Sequence, residues 1–239
     1  MGKVGKRFVA SYATSAAKAP YEGRTLRPAN PATVETLDAY LERLASDAAV
    51  PGGGSAAALV AAFGAALTAM VARIARRNPK NAASTEALDA IVERADSLRA
   101  EIADARLRDE EAFAGVVAAQ ALPKDTETEK AERRQALDDA LARAAEEPLR
   151  ATALSLQVLE LLEKVLEFPI LALSSDVGSA AEFARAALAS AAYNVRINHR
   201  FMRDPEVVAL QEQALQEREA AMRESVARVR RRVGQETLG

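Results

Sequence analysis

Pro51-Gly52-Gly53-Gly54-Ser55 runs directly into Ala56-Ala57-Ala58-Leu59-Val60-Ala61-Ala62-Phe63-Gly64-Ala65-Ala66-Leu67. Three consecutive glycines free the backbone for a sharp turn or a close approach, and the following Ala/Gly helix carries little side-chain bulk. Ser55 is placed to cap that helix, and the amides at its start attract negative charge. The pattern predicts a binding site at the turn or an unusually tight helix contact, with a second copy of the chain in a homodimer or with a close neighbour, in which a larger side chain at Gly64 would overlap and weaken assembly. The spacing is not that of a phosphate-binding loop, since GxxxxGK[ST] and a preceding strand are both lacking.

The rest of the chain must pack in keeping with this helix. Hydrophobic residues make up 49% and aromatic residues only 4%, so the core is built from Ala, Leu and Val. No segment shows sustained strand alternation, which predicts an all-α, multi-helix bundle of close-packed Ala/Gly-rich helices. The segment 55–72 is uncharged and long enough to raise the question of a membrane span. It is mostly alanine, with little Leu or Val to drive insertion, and reads as a buried helix of a soluble protein.

Composition excludes several chemistries. Without cysteine there is no disulfide, thiolate nucleophile or Cys-ligated zinc, and one histidine, His199, excludes HExxH. No metal site is expected, so carboxylates, Lys, Arg, Ser, Tyr or amides must carry any reaction. Lys+Arg 32 against Asp+Glu 34 leaves a net charge of -2, without the basic excess that nucleic-acid binding requires. No apolar stretch follows Lys3, Lys6 and Arg7 as a secretory signal would, and the expected location is cytoplasmic.

Residues 1–32 contain Gly2, Gly5, Pro20, Gly23, Pro28 and Pro31 with no period and read as a flexible extension, leaving 33–239 as the helical domain. Helical spacing of Val34, Leu37, Leu41 and Leu44 predicts a first helix, and a second is predicted from 55 to about 77. A third runs from Ser84 or Thr85 to about 120. Thr126 and Glu129 form a capping box for the fourth. Pro148 suits a first turn or a kink before an apolar helix over 149–166, and Ser174-Ser175-Asp176 reads as the N-cap of a helix to about 203. Val208, Leu215, Met222 and Val229, seven apart, predict a packed terminal helix or short coiled-coil seam.

Several polar residues stand out, each with a plain structural reading beside the functional one. Asp109 begins Asp109-Glu110-Glu111-Ala112-Phe113, where a solvated helix face is the ordinary expectation. Lys124 could simply offset a helix dipole, and Asp176 could simply cap. Ala180, Ala184, Ala187, Ala191, Asn194 and Asn198 share one helical stripe, and amides at the end of an alanine face need partners if buried. His199 lies one position off that stripe and reads as a surface or satisfied histidine.

Taken in order, PGGGSAAAL, D-x-x-A-F, L-P-K-x-T-x-x-E-K-x-x-R ending at Arg133, A-x-x-x-P-L from Ala144 to Leu149, S-D-V-G and N-V-R-I-N resemble the formiminotransferase-cyclodeaminase family. The likeness is to its cyclodeaminase domain and to stand-alone methenyltetrahydrofolate cyclohydrolases, and covers about residues 33–203. It implies a helical homodimer binding a tetrahydrofolate derivative as substrate in a cleft between helices, without metal or redox cofactor. It implies Asp176 first, and Asp109 second, as the proton-transfer carboxylate. Lys124 and Arg133 would hold the folate glutamate carboxylates or orient the acid. Gly52, Gly53, Gly54 and Ser55 would give backbone donors, and Asn194 and Asn198 would read pterin edges. One departure stands before Asp176, where Glu167 to Leu173 replaces the family's Gly-Asn element and changes the loop lining. The resemblance does not separate hydrolysis of 5,10-methenyltetrahydrofolate from cyclodeamination of 5-formiminotetrahydrofolate. The alternative is a catalytically silent helical homodimer or interaction protein of the same fold.

Overall fold

The computed structural model describes residues 35–170 and 173–238; the extension read over 1–32 lies outside them. The chain divides into two compact units, residues 1–42 and residues 43–239. Of the first, only 35–42 are described, and they include most of helix α1 (Leu37–Leu44). The second contains α2 (Gly53–Arg76), a 3-10 segment (Pro79–Ser84), α3 (Thr85–Gln120), α4 (Glu127–Val165), α5 (Ser174–His199) and α6 (Pro205–Leu238). The described residues form no strand, and the all-α expectation holds.

Helix α2 lies against α3, α4 and α5. By length and composition it could span a membrane, but more than half of its apolar stretch is buried in the bundle. Its small residues explain how it has three neighbours at once. Ala61, Ala65, Ala69 and Ala72 are buried, and Ala180, Ala184 and Ala187 answer them from α5. At Gly64 a Cβ would stand 3.2 Å from the Ala180 carbonyl oxygen and 3.5 Å from the Ala184 nitrogen. The close contact anticipated at Gly64 is therefore with α5 of the same chain. Leu88, Leu98 and Ile102 of α3 and Val158, Leu159 and Leu162 of α4 fill the larger spaces.

Helix starts differ from the sequence expectation at two functional segments. Helix α2 begins at Gly53 with Gly52 as its N-cap and no side-chain cap. Ser55 is the third helical residue, fully buried, and its Oγ donates to Glu110 Oε1 at 2.7 Å. Helix α5 likewise begins at Ser174 without a side-chain cap, which puts Asp176 inside its first turn as a dipole-stabilising acid. By contrast, Glu129 N donates to Thr126 Oγ1 and Thr126 N to Glu129 Oε2, completing the predicted capping box.

Helix α4 does not stop at Pro148: it is one 39-residue helix where the sequence suggested a boundary. Its buried faces against α3, α5 and α6 offset what a proline subtracts from an isolated helix. The terminal helix α6 buries Leu215, Met222, Val226 and Val229 as the seven-residue spacing anticipates, with Val208 half-buried. Arg196 bridges to Glu212 and Glu219 at 2.9 Å, fixing α6 to α5.

Gly64→Leu should push α2 off the α5 backbone and destabilise the fold by about 1–3 kcal/mol, the usual range for overpacking. The urea unfolding midpoint measures this, and an unchanged midpoint would contradict the close helix contact.

Candidate active site

Four helices supply one pocket of about 150 Å³: the start of α2, the middle of α3, Ala144 of α4 and the C-terminal part of α5. Gly52, Gly53 and Gly54 form one wall, Asp109 and Phe113 come from α3, and Asn194, Ile197 and Asn198 from α5. Ala49 and Val50 complete the lining ahead of α2.

Two of these glycines lie against side chains that a Cβ would meet. A Cβ on Gly54 would stand 2.7 Å from Asp109 Cγ, and one on Gly53 would stand 3.3 Å from Asn194 Nδ2. Asp109 thus reaches the backbone at the start of α2, where it accepts the Ser55 N–H. In a helix the first N–H groups have no intrahelical acceptor. Gly53 and Gly54, at this start of α2 with no side-chain cap, line the pocket.

Burial, reinforced by the Glu110 and Glu147 carboxylates, raises the pKa of Asp109 from 3.8 to about 6, against the opposing Ser55 N–H. The neighbouring acids do different work. Glu110, only 13% exposed, accepts from Ser55 Oγ, Arg43 Nη2 at 2.9 Å and Arg106 Nη1 at 3.0 Å, so it locks α3 to the first turn of α2. Glu147 of α4 pairs with Arg108 at 3.0 Å. Asp109 is the group in this acidic run that lines the pocket.

The two asparagines differ. Asn194 donates its Nδ2 to Ser190 O of its own helix at 2.9 Å. Asn198 donates its Nδ2 both to Ala144 O across the helix interface, at 2.8 Å, and to Asn194 O at 2.9 Å. Both amide hydrogens are used, which fixes the amide orientation and leaves Oδ1 as an acceptor. The site therefore offers a carboxylate with a raised pKa, backbone donors and amide oxygens beside the apolar side chains of Phe113 and Ile197.

The structure gathers Gly52, Gly53, Gly54, Asp109, Asn194 and Asn198 at this pocket, with Ser55 directly behind it. Asp176 is elsewhere, about 27 Å from Asn194 along α5 at 1.5 Å per residue. Lys124 is exposed between α3 and α4. Arg133 donates Nε and Nη2 to Gln120 O at 3.2 and 3.1 Å, satisfying the end of α3, about 16 Å along that helix from Asp109. Sequence reasoning gave no role to Glu110, Glu147 or Ile197. Glu110 and Ile197 lay inside motifs already singled out, and Glu147 directly precedes Pro148.

The formiminotransferase-cyclodeaminase family matches residues 36–217. The chain is 37% identical over 193 residues to methenyltetrahydrofolate cyclohydrolase of Methylorubrum extorquens, covering 81% of this chain and 91% of that protein. It is 32% identical over 171 residues to formimidoyltransferase-cyclodeaminase of Rattus norvegicus, covering 71% of this chain but 31% of that protein. Among solved structures, formiminotetrahydrofolate cyclodeaminase from Thermotoga maritima superposes with a TM-score of 0.76 at 28% identity, covering 84% of this chain and 96% of that one. Ordered motifs, helical fold and both comparisons agree, and the chain belongs to the formiminotransferase-cyclodeaminase family.

Proposed function

We propose that this protein hydrolyses 5,10-methenyltetrahydrofolate to 10-formyltetrahydrofolate with Asp109 as the proton-transfer group. The observation that carries this reading is a half-buried carboxylate with a pKa raised to about 6, set against an uncapped helix start in a pocket lined by two amides. Likeness to a methenyltetrahydrofolate cyclohydrolase over most of both chains supports the choice of substrate.

The substrate's reacting carbon lies between N5 and N10 in an amidinium cation. It is already electrophilic, so the addition of water calls for no metal or redox cofactor. Ionised Asp109 stabilises the cation and takes a proton as water adds to the carbon. The protonated carboxyl then delivers that proton to N5 as the C–N5 bond breaks. The remaining hydroxyl loses its proton to solvent as the formyl C=O forms on N10. One proton is released overall and Asp109 is regenerated. The Asn194 and Asn198 amide oxygens would accept from pterin N–H groups, and the Gly53 and Gly54 amides would donate to its carbonyl. Lys124 and Arg133, at the far end of α3, lie where only an extended glutamate tail would meet them.

Cyclodeamination of 5-formiminotetrahydrofolate is the second reading, favoured by the match to the Thermotoga maritima cyclodeaminase. There N10 attacks the formimino carbon and the same carboxyl protonates the departing ammonia. Assaying both substrates with one preparation decides between them.

The assembly proposed is a cytoplasmic homodimer acting on a small folate, with no nucleic-acid or membrane partner. Phe63 and Ile74 of α2 and Phe183 of α5 are exposed, with Leu59, Leu67 and Met70 of α2 partly buried; Phe63 is 43% exposed and its ring lies 6.4 Å from that of Phe183. A second copy would cover this apolar surface. Sedimentation at micromolar concentration should show a dimer that Phe63→Glu dissociates; a wild-type monomer would refute the assembly.

Asp109→Asn should lower turnover by about a hundredfold or more, since an amide neither takes up a proton nor balances the cation. Asp176→Asn should leave turnover nearly unchanged. The reverse pattern would move the proton-transfer role to Asp176.

Stability should respond in the opposite direction. The folded pKa of Asp109 lies above its unfolded value of 3.8, so its ionisation weakens the fold as pH rises towards and through about 6. Asp109→Asn should therefore raise the thermal midpoint above pH 6, by a stabilisation of at most about 3 kcal/mol, and leave it unchanged below pH 4. Wild-type turnover should decline below about pH 6 as the carboxyl protonates.

A further inference from the structure

We propose that Pro148 is a positioning residue that holds Asn198 in the pocket through the carbonyl of Ala144. This rests on the reading of the pocket as the folate site.

Proline inside a helix lacks the N–H that would bond the carbonyl four residues earlier, and its ring crowds that carbonyl outward. In α4 the residue four before Pro148 is Ala144, a wall of the pocket. The carbonyl that a residue-148 amide would claim instead receives Asn198 Nδ2 from α5 at 2.8 Å.

This bond ties a pocket amide to a neighbouring helix. The recorded bond of Asn194 is to Ser190 of its own α5, and the second hydrogen of Asn198 also stays within α5. The Ala144 bond thus sets where Asn198 Oδ1 points relative to α4, Asp109 and the start of α2. Pro148 is itself buried and strongly unfavourable in a helix interior by intrinsic propensity. Its placement four residues from a pocket carbonyl, with an amide donor on that carbonyl, gives it a use that helix formation does not.

Any other residue at 148 restores the N–H. The Ala144 carbonyl then turns back into the helix, and the Asn198 amide has a competitor for it. The substrate N–H that Asn198 Oδ1 would accept from then meets a less well fixed oxygen.

The test is a double-mutant cycle on the full chain with 5,10-methenyltetrahydrofolate as substrate, reading KM, kcat and the thermal midpoint for Pro148→Ala, Asn198→Ala and the double variant. Pro148→Ala should raise KM by about fivefold, the weight of one ordinary hydrogen bond, with little change in kcat. Its thermal midpoint should be unchanged or higher, because the helix regains a donor. Asn198→Ala should raise KM at least as much, and the double variant should be no worse than Asn198→Ala. An unchanged KM in Pro148→Ala, or KM effects that multiply in the double variant, overturns the proposal. An unchanged KM in Asn198→Ala instead overturns the reading of the pocket, and the proposal with it. If Pro148→Ala does not fold, Pro148→Val keeps the bulk while restoring the N–H, and the same rise in KM is required of it.

Discussion

The contact between the Asp109 carboxylate and the bare Cα of Gly54 organises the rest of the site. A Cβ at position 54 would stand 2.7 Å from Asp109 Cγ, so glycine there lets the carboxylate lie against the start of α2. Glu110, one residue on, holds that approach in register through Ser55 Oγ, Arg43 and Arg106. Successive helical residues turn by about 100°, so adjacent acids on α3 meet different surroundings. Glu110 is surrounded by donors, while Asp109 has one backbone N–H, and burial, reinforced by the nearby carboxylates, raises its pKa. Glu110 builds the position that Asp109 occupies.

The same packing explains why α2 can forgo a side-chain cap. Most helices satisfy their first amides with Ser, Thr, Asp or Asn, as α4 does through Thr126 and Glu129. In α2 the candidate residue Ser55 is drawn to Glu110, and Gly52 stands at the N-cap. The stability so forgone is recovered along α2, where alanine faces meet α5 closely enough that Gly64 nearly touches the Ala180 backbone. The small-residue helix is thus both the rigid centre of the bundle and the reason its first turn is left open to a ligand.

Much of this was legible in the sequence, because helical periodicity and capping chemistry are local. The limits of α3, the Thr126 capping box and the buried seven-residue stripe of α6 follow from residue types at fixed spacing. Long-range compensation was not legible. Pro148 reads as a boundary because nothing local shows that α4 continues through it, packed against α3, α5 and α6. Ser55 and Asp176 read as caps because their true partners or helix starts depend on packing. Motif order brought out Asp109 and Asp176 alike, but it does not state which end of a 26-residue helix faces the pocket. Burial beside Glu110 and Glu147 distinguishes them, and that is a property of three helices together.

The family match ends at residue 217, yet the helix that crosses that point braces the pocket from behind. Arg196, which lies between Asn194 and Asn198 in sequence, faces away from them and bridges to Glu212 and Glu219 of α6. Arg218 of α6 donates to the Leu149 carbonyl at 2.8 Å and to Thr152 Oγ1 at 3.1 Å, just beyond Pro148. Burial lowers the pKa of this guanidinium, but it stays charged, and a charged donor on a helix carbonyl is a strong tie. Helix α6 therefore grips α5 opposite its asparagines and α4 beside its proline, the two places whose separation sets the Asn198 to Ala144 bond. The Asn198 to Ala144 bond needs α4 and α5 held at fixed spacing, and these two arginines tie both helices to α6 from the outer side.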